Sequence, residues 1–441
     1  MNFRLVVVCT AAMTAGVALA ETYTWTGAEN GFWTNANNWA EGTVPGRYFT
    51  PESPKAAVGQ TGDATIFGDN LTGAKVTTID FDGVYSVSNI TTTGSNRYTY
   101  GTGASQTVPI EPFGSFVAAE RSDTPVAQLN AFLQLGVECL PSGWGGDTMH
   151  VVNNSTEELV IGGWGKCTKL PGSSASGGEP AVRFEGTGDF RFVGQYAQGS
   201  AYWYSVGQFG MEGKLDVEAP LLLRRFDIIK TISGRTPTLE IEIREGASIE
   251  PISCYNYLTC NERDAHIFGA GTFKFGVGLR SNAGVICETS VSKTLTLACK
   301  VENKFIGGNP PDDFPNRIQM RGNGTIVFRP SENTIQGALM ATNNVTGVYV
   351  GETIGKAGTF GSLGDVWFML GDNAGVRFVG SADDTTDRAF VLKDAKTATG
   401  KGKIEQDGTG ALTVESSVTL GDGADSGTFT LGGSSATPAP F

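Results

Sequence analysis

Short runs of alternating apolar and polar residues, closed by Gly, Asn or Asp, recur along most of this chain. "TLEIEIREGASIEPI" (238–252) places Leu239, Ile241 and Ile243 on one face and Glu240, Glu242 and Arg244 on the other. That is the period of two expected of a half-buried strand. "KTLTLACKVENKFIGG" (293–308) repeats the pattern and turns Leu295, Leu297, Cys299 and Val301 inward; "KLDVEAPLLL" (214–223) does likewise. Nearer the N-terminus, "GDATIFGD" (62–69), "KVTTIDFDG" (75–83) and "YSVSNITTTG" (85–94) predict short strands with turns between them. "TPVAQLNAFLQL" (124–135) is the one helix candidate, with Val126, Leu129 and Leu133 on a stripe; the same residues also read as a strand.

Four segments share a tighter pattern of strand, Gly-x-Gly, strand: "VRFEGTGDFRF" (182–192), "HIFGAGTFKF" (266–275), "IQMRGNGTIVF" (318–328) and "KIEQDGTGALTV" (403–414). None continues to the third glycine of a dinucleotide fingerprint, and none opens a helix whose N-terminus could receive a phosphate. The residues that follow, among them Phe190, Phe192, Phe273, Phe275, Ile326 and Phe328, favour strands. These glycines are therefore expected to turn a corner between stacked strands, with Gly324 in a left-handed conformation. The first glycines, at 186, 269, 322 and 408, are unevenly spaced, as they would be with several coils of a solenoid between copies.

A single core rarely grows past about 250–300 residues, so a chain of 441 residues either divides into domains or stacks in one dimension. Composition favours the stack. Gly is 61 of 441, about twice its ~7% average usage. The expected fold is all-β: a parallel β-helix over 111–431 behind a Trp-containing N-terminal β cap over 21–110, with a small-residue tail at 432–441.

Residues 1–20 read as an export signal: Arg4 is the only charge, "LVVVCTAAM" is the apolar centre, and "ALA" precedes Glu21. A membrane anchor is the alternative, but the apolar run is short for a span. No later apolar run approaches the ~20 residues of a transmembrane helix. Without Arg4 the remaining chain has 31 basic and 45 acidic residues, a balance that disfavours nucleic acid and anionic lipid as partners. The expected location is secreted or at the cell surface. Six cysteines follow the signal: Cys139, Cys167, Cys254, Cys260, Cys287 and Cys299. At least one disulfide is expected, with Cys254–Cys260 and Cys287–Cys299 the pairs closest in sequence.

"GNGTIVFRPSENTIQG" (322–337), with Asn333, Thr334 and Gly337 at its later positions, resembles the autotransporter-associated β-strand repeat. The opening "WTGAENGFWTNANNW…VPG…GDATIF" resembles the segment that precedes such repeats in exported bacterial proteins. The resemblance implies a right-handed parallel β-helix displayed at the bacterial surface. No β-barrel translocator follows in this sequence, so the resemblance does not imply self-translocation.

Little in the sequence points to chemistry. His150 and His266 are the only histidines, which excludes His-Glu-x-x-His zinc sites. No Gly-x-Ser-x-Gly elbow occurs. Carboxylate pairs of the kind that serve polysaccharide cleavage occur at Asp312–Asp313 and Asp383–Asp384, both among turn residues. "ADDTTDR" (382–388) has oxygen ligands for Ca²⁺ but not the spacing of a known loop. No catalytic residue, cofactor or metal is assigned. Trp25, Trp33 and Trp39 would either close the open end of a solenoid or stack on sugar rings. The leading expectation is a structural or adhesive surface protein; a glycan-binding module and, further off, a β-helix polysaccharide lyase or hydrolase are the alternatives.

Overall fold

The computed structural model describes residues 21–433 apart from internal segments, the longest being 49–62, 131–147, 162–180, 194–205, 307–316 and 356–366. Most successive strands alternate between two 16-stranded sheets, with a separate two-stranded sheet of Asp384–Thr386 and Leu412–Val414, so the chain winds as a β-solenoid. The first sheet runs from Thr22–Thr24 to Val418–Leu420, the second from Thr78–Ile79 to Ser426–Gly432. Nearly every pairing is parallel; Arg47–Tyr48 against Tyr85 and Ser86 is antiparallel. The only helix among the described residues is a 3₁₀ turn, Ala36–Asn38. The helix candidate at 124–135 contains the strand Gln128–Leu129, with Val126 and Leu129 buried; Leu133 lies outside the described residues.

The core is built as in-register columns. In the second sheet Leu159, Phe190, Leu215, Ile241, Ile267, Leu297 and Phe328 follow one another rung by rung. All seven are fully buried. The alternation read at 238–252 and 293–301 is what fills these columns: each inward residue meets the inward residue of the next coil, and its polar neighbour points outward. One buried cluster extends from Tyr23 to Ile404.

Coil length is irregular. Partners in the first sheet lie 19 residues apart at Gly207 and Phe226 but 35 apart at Ser115 and His150. The extra residues leave between strands, where insertion does not disturb the register.

Three of the four Gly-x-Gly segments join strands of different sheets: Ala181–Glu185 to Phe190–Phe192, Arg317–Arg321 to Thr325–Phe328, and Thr399–Gln406 to Leu412–Val414. The fourth lies within one long strand, Ala265–Gly278, at a register shift between Phe268 and Thr272. Gly186 has φ +103°, which favours glycine, and a side chain there would run into the Asn153 carbonyl of the preceding coil. Gly324 corrects the expectation: its φ is not positive. A Cβ at Gly324 would lie 2.6 Å from the Ser290 oxygen and 2.7 Å from the Lys293 oxygen. Glycine is required there because two coils touch backbone to backbone, not because the chain turns left.

The two disulfide pairs closest in sequence are also corrected; Cys139, Cys167 and Cys254 lie outside the described residues. Cys260 and Cys299 are free, buried thiols, so neither Cys254–Cys260 nor Cys287–Cys299 forms. Cys287 belongs to a strand of the first sheet and Cys299 to one of the second. Cys260 Sγ instead meets the Arg263 carbonyl at 2.9 Å. Both thiols act as small apolar groups in the core.

Candidate functional site

The outward side chains of the first sheet form a polar row. Asn89, Ser115, His150, Arg183, Gln208, Asp227 and Thr259 occupy successive rungs. At its centre His150 Nδ1 lies 2.8 Å from Glu185 Oε2, and Arg183 Nε lies 2.5 Å from Glu185 Oε1. The Glu185 side chain is 1% exposed, whereas that of His150 is 36% exposed. A carboxylate buried to that degree is tolerated because a guanidinium and an imidazole face it. With Glu185 as a carboxylate, which only accepts, an Nδ1–H of His150 is the donor in this contact.

A histidine so oriented resembles a general base, but among the described residues no hydroxyl or thiol is hydrogen-bonded to it. The hydroxyl on the adjacent rung, Ser115 Oγ, donates to Asn89 Oδ1 at 2.5 Å. Further along, Thr259 Oγ1 donates to Asp227 Oδ1 at 2.6 Å. These hydroxyls are engaged by side chains of the neighbouring rungs.

The second sheet carries a denser ionic strip. Arg191 contacts Glu158 at 2.7 Å and Glu218 at 3.3 Å; Arg244 contacts Glu218 and Asp216, each at 2.5 Å; Lys214 pairs with Glu242. Hydrogen bonding to Asp216 raises the Arg244 pKa, ahead of the opposing cost of burial. His266 Nδ1 meets Glu240 at 2.8 Å, and its ring stacks on Phe268. The two histidines thus sit on different sheets, each committed to a glutamate one rung away.

The carboxylate pair at 383–384 is used structurally. Asp383 Oδ1 accepts from the Ala411 amide at 2.7 Å, and Asp384 Oδ2 accepts from Ile354 at 2.6 Å and Gly355 at 3.2 Å. Each aspartate pins a neighbouring coil. Asp312 and Asp313 lie outside the described residues. Among the described residues no three His, Cys, Asp or Glu side chains gather as metal ligands.

Trp25, Trp33 and Trp39 are buried, at 0%, 1% and 2% exposure, and pack with Phe67, Phe81 and Tyr98 at the N-terminal end of the stack. Rings that are inside the protein offer no platform to a sugar. Trp25 Nε1 donates to the Val76 carbonyl at 2.8 Å and Trp39 Nε1 to the Trp33 carbonyl at 3.0 Å, which fixes the cluster in place.

Sequence reasoning missed two features. Arg183 and Glu185 are two apart in "VRFE" and so share a face, but nothing local tells which rung lies beneath them. Arg263 and Arg388 are fully buried. Arg263 Nη1 donates to the Met211 carbonyl at 2.6 Å, and Arg388 Nη2 to the Gly355 carbonyl at 2.8 Å. Burial lowers the Arg263 pKa to about 10. Both arginines tie the backbone of one coil to another, a role unsuited to their usual exposed setting.

No family model, curated protein or solved structure matches this chain.

Proposed function

We propose that this chain is an exported structural or adhesive protein of the bacterial surface, a non-catalytic β-solenoid related to the autotransporter-associated β-strand repeats. The observation that carries this reading is the rung-to-rung pairing of the polar groups on both outer faces. Arg183 and His150 are both ion-paired to Glu185, and Arg191 and Arg244 share Glu218, with Arg244 also on Asp216. Such pairing stiffens a stack and leaves few groups converging on a substrate. The buried tryptophan cluster suits a cap at the N-terminal end, where an uncapped coil would expose apolar residues and strand edges. The character of residues 1–20 supports export, and the likeness at 322–337 supports display at the surface.

The test has two arms. Intact mass of the protein recovered from the producing bacterium's surface fraction is expected to begin at Glu21; retention of residues 1–20 argues against processing at this point. The purified protein is expected to release no reducing or unsaturated ends from a pectin and mucin panel. Release that disappears in His150→Ala overturns the structural reading in favour of an enzyme centred on His150 and Glu185.

A further inference from the structure

We infer that the loop at residues 229–238 is a cleavage site for a serine endopeptidase selective for basic side chains, and that hydrolysis of its Arg235–Thr236 bond leaves one folded body made of two chains. The loop joins Arg225–Ile228 of the first sheet to Leu239–Ile243 of the second. The corresponding corners on neighbouring coils, 186–189, 210–214, 261–264 and 290–293, take four or five residues; this one takes ten. Thr231 and Leu239 are buried, and all seven residues between them are exposed.

The stack closes without this loop, because the corner at 261–264 makes the bonds that it leaves open. Arg263 Nη1 donates to the Met211 carbonyl at 2.6 Å and Nη2 to the Phe209 carbonyl at 3.3 Å, reaching past the intervening coil. Glu262 Oε2 accepts from the Lys230 amide at 2.7 Å, and the Asp264 carbonyl accepts from the Leu239 amide at 3.0 Å. Both stems are therefore fastened, while the residues between them are held lightly. The Thr231 amide donates to the Arg235 carbonyl at 3.2 Å, and Ser233 and Arg235 reach Glu212 at 3.2 and 3.3 Å. Thr236 and Pro237 make no hydrogen bond among the described residues.

A protease needs an exposed segment that opens locally at little cost. The Arg235 side chain is 71% exposed, and its surface pair with Glu212 is weak beside a carboxylate in a specificity pocket. Thr236, not a proline, follows it, so the bond is open to attack. Through an acyl-enzyme on the protease serine, water adds across the bond: its oxygen ends on the Arg235 carbonyl carbon and a proton on the Thr236 nitrogen. The cut falls between two strands of one coil, so each half stays laddered to the other. Arg225–Ile228 pairs with Tyr257–Cys260 across the break, and Leu215–Val217 with Leu239–Ile243. The Lys214–Glu242 pair and the pairs of Arg244 with Asp216 and Glu218 span it as well.

Trypsin acting on the folded full-length protein tests this. Mass analysis in denaturant is expected to find new termini at Arg235 and Thr236, while native size-exclusion keeps the two chains in one peak with the parent's circular dichroism. The thermal midpoint of the nicked protein is expected to rise with protein concentration, because unfolding now releases two chains; that of the parent is expected to stay constant. Arg235→Gln, at an exposed position, is expected to fold and to lose this cut, and Arg235→Lys to keep it. A bond that trypsin cuts only after unfolding in urea, a Thr236 terminus that persists in Arg235→Gln, chains that part without denaturant, or a nicked midpoint independent of concentration overturns the inference.

Discussion

Gly324 and Thr385 set two backbone positions of the same stack against each other. At Gly324 any Cβ meets the carbonyl oxygens of Ser290 and Lys293, and those atoms belong to the coil below and cannot rotate away. Gly324→Val is expected to destabilise the protein by about 1–3 kcal/mol, the range for overpacking a tight contact. Thr385→Val, at an exposed strand position, is expected to stay within about 0.5 kcal/mol. Chemical denaturation of both variants checks the contrast. The buried thiols make a second prediction. Burial pushes Cys260 and Cys299 up to about 12 from an ordinary value of 9.0. A raised acid keeps its proton better in the folded state, so its contribution to stability is whole below about pH 9 and is lost as pH rises towards 12. Tyr98 and Tyr100 are also raised by burial, but from 10.0, so the window between pH 9 and pH 10 belongs mainly to the thiols. Denaturation midpoints measured across that window are expected to fall in the parent and to fall less in Cys260→Ala combined with Cys299→Ala.

Each strand presents an alternation whose two faces carry unequal energy. Phe328 and Arg329 are neighbours at the end of one strand, yet Phe328 is fully buried in the column above Leu297, while Arg329 pairs with Glu352 at 2.9 Å with both side chains about half exposed. Phe328→Ala is expected to cost about 3–5 kcal/mol, because the cavity lies between rungs that cannot close over it. Arg329→Ala is expected to cost less than about 1 kcal/mol, since water screens the lost pair. Equal effects of the two substitutions on the unfolding midpoint would show that the column is not the main source of stability. This alternation was readable residue by residue at 238–252 and 293–301. The corner role of the glycines was readable too, except that Gly324 turned out to be constrained by contact with its neighbour coil rather than by its own dihedral, and the bend at Gly269 lies within one strand.

At the scale of the whole molecule, fifteen strands of the first sheet lie on one unbroken path. At about 4.8 Å per rung they span about 70 Å. A single chain is therefore expected to show a longest dimension of at least that length in solution scattering, and a radius of gyration above the ~22 Å of a compact domain of this size. A maximum dimension near 50 Å would contradict the stacked architecture.

The sequence by itself determined the strands, the inward and outward faces, the glycine corners and the burial of Cys299, because each depends on the period of two or on the steric demands of one residue. Stacking order was decided only by tertiary structure. A period of two is usual for antiparallel sheets with one wet face, and here it serves parallel strands whose partners lie 19 to 42 residues away. With coil length so variable, no fixed repeat could announce that His150 stands between Ser115 and Arg183, or that Glu185 reaches it. Cys260 and Cys299 stayed unpaired for the same reason: separation along the chain does not set separation in space when each coil carries its residues to a different sheet.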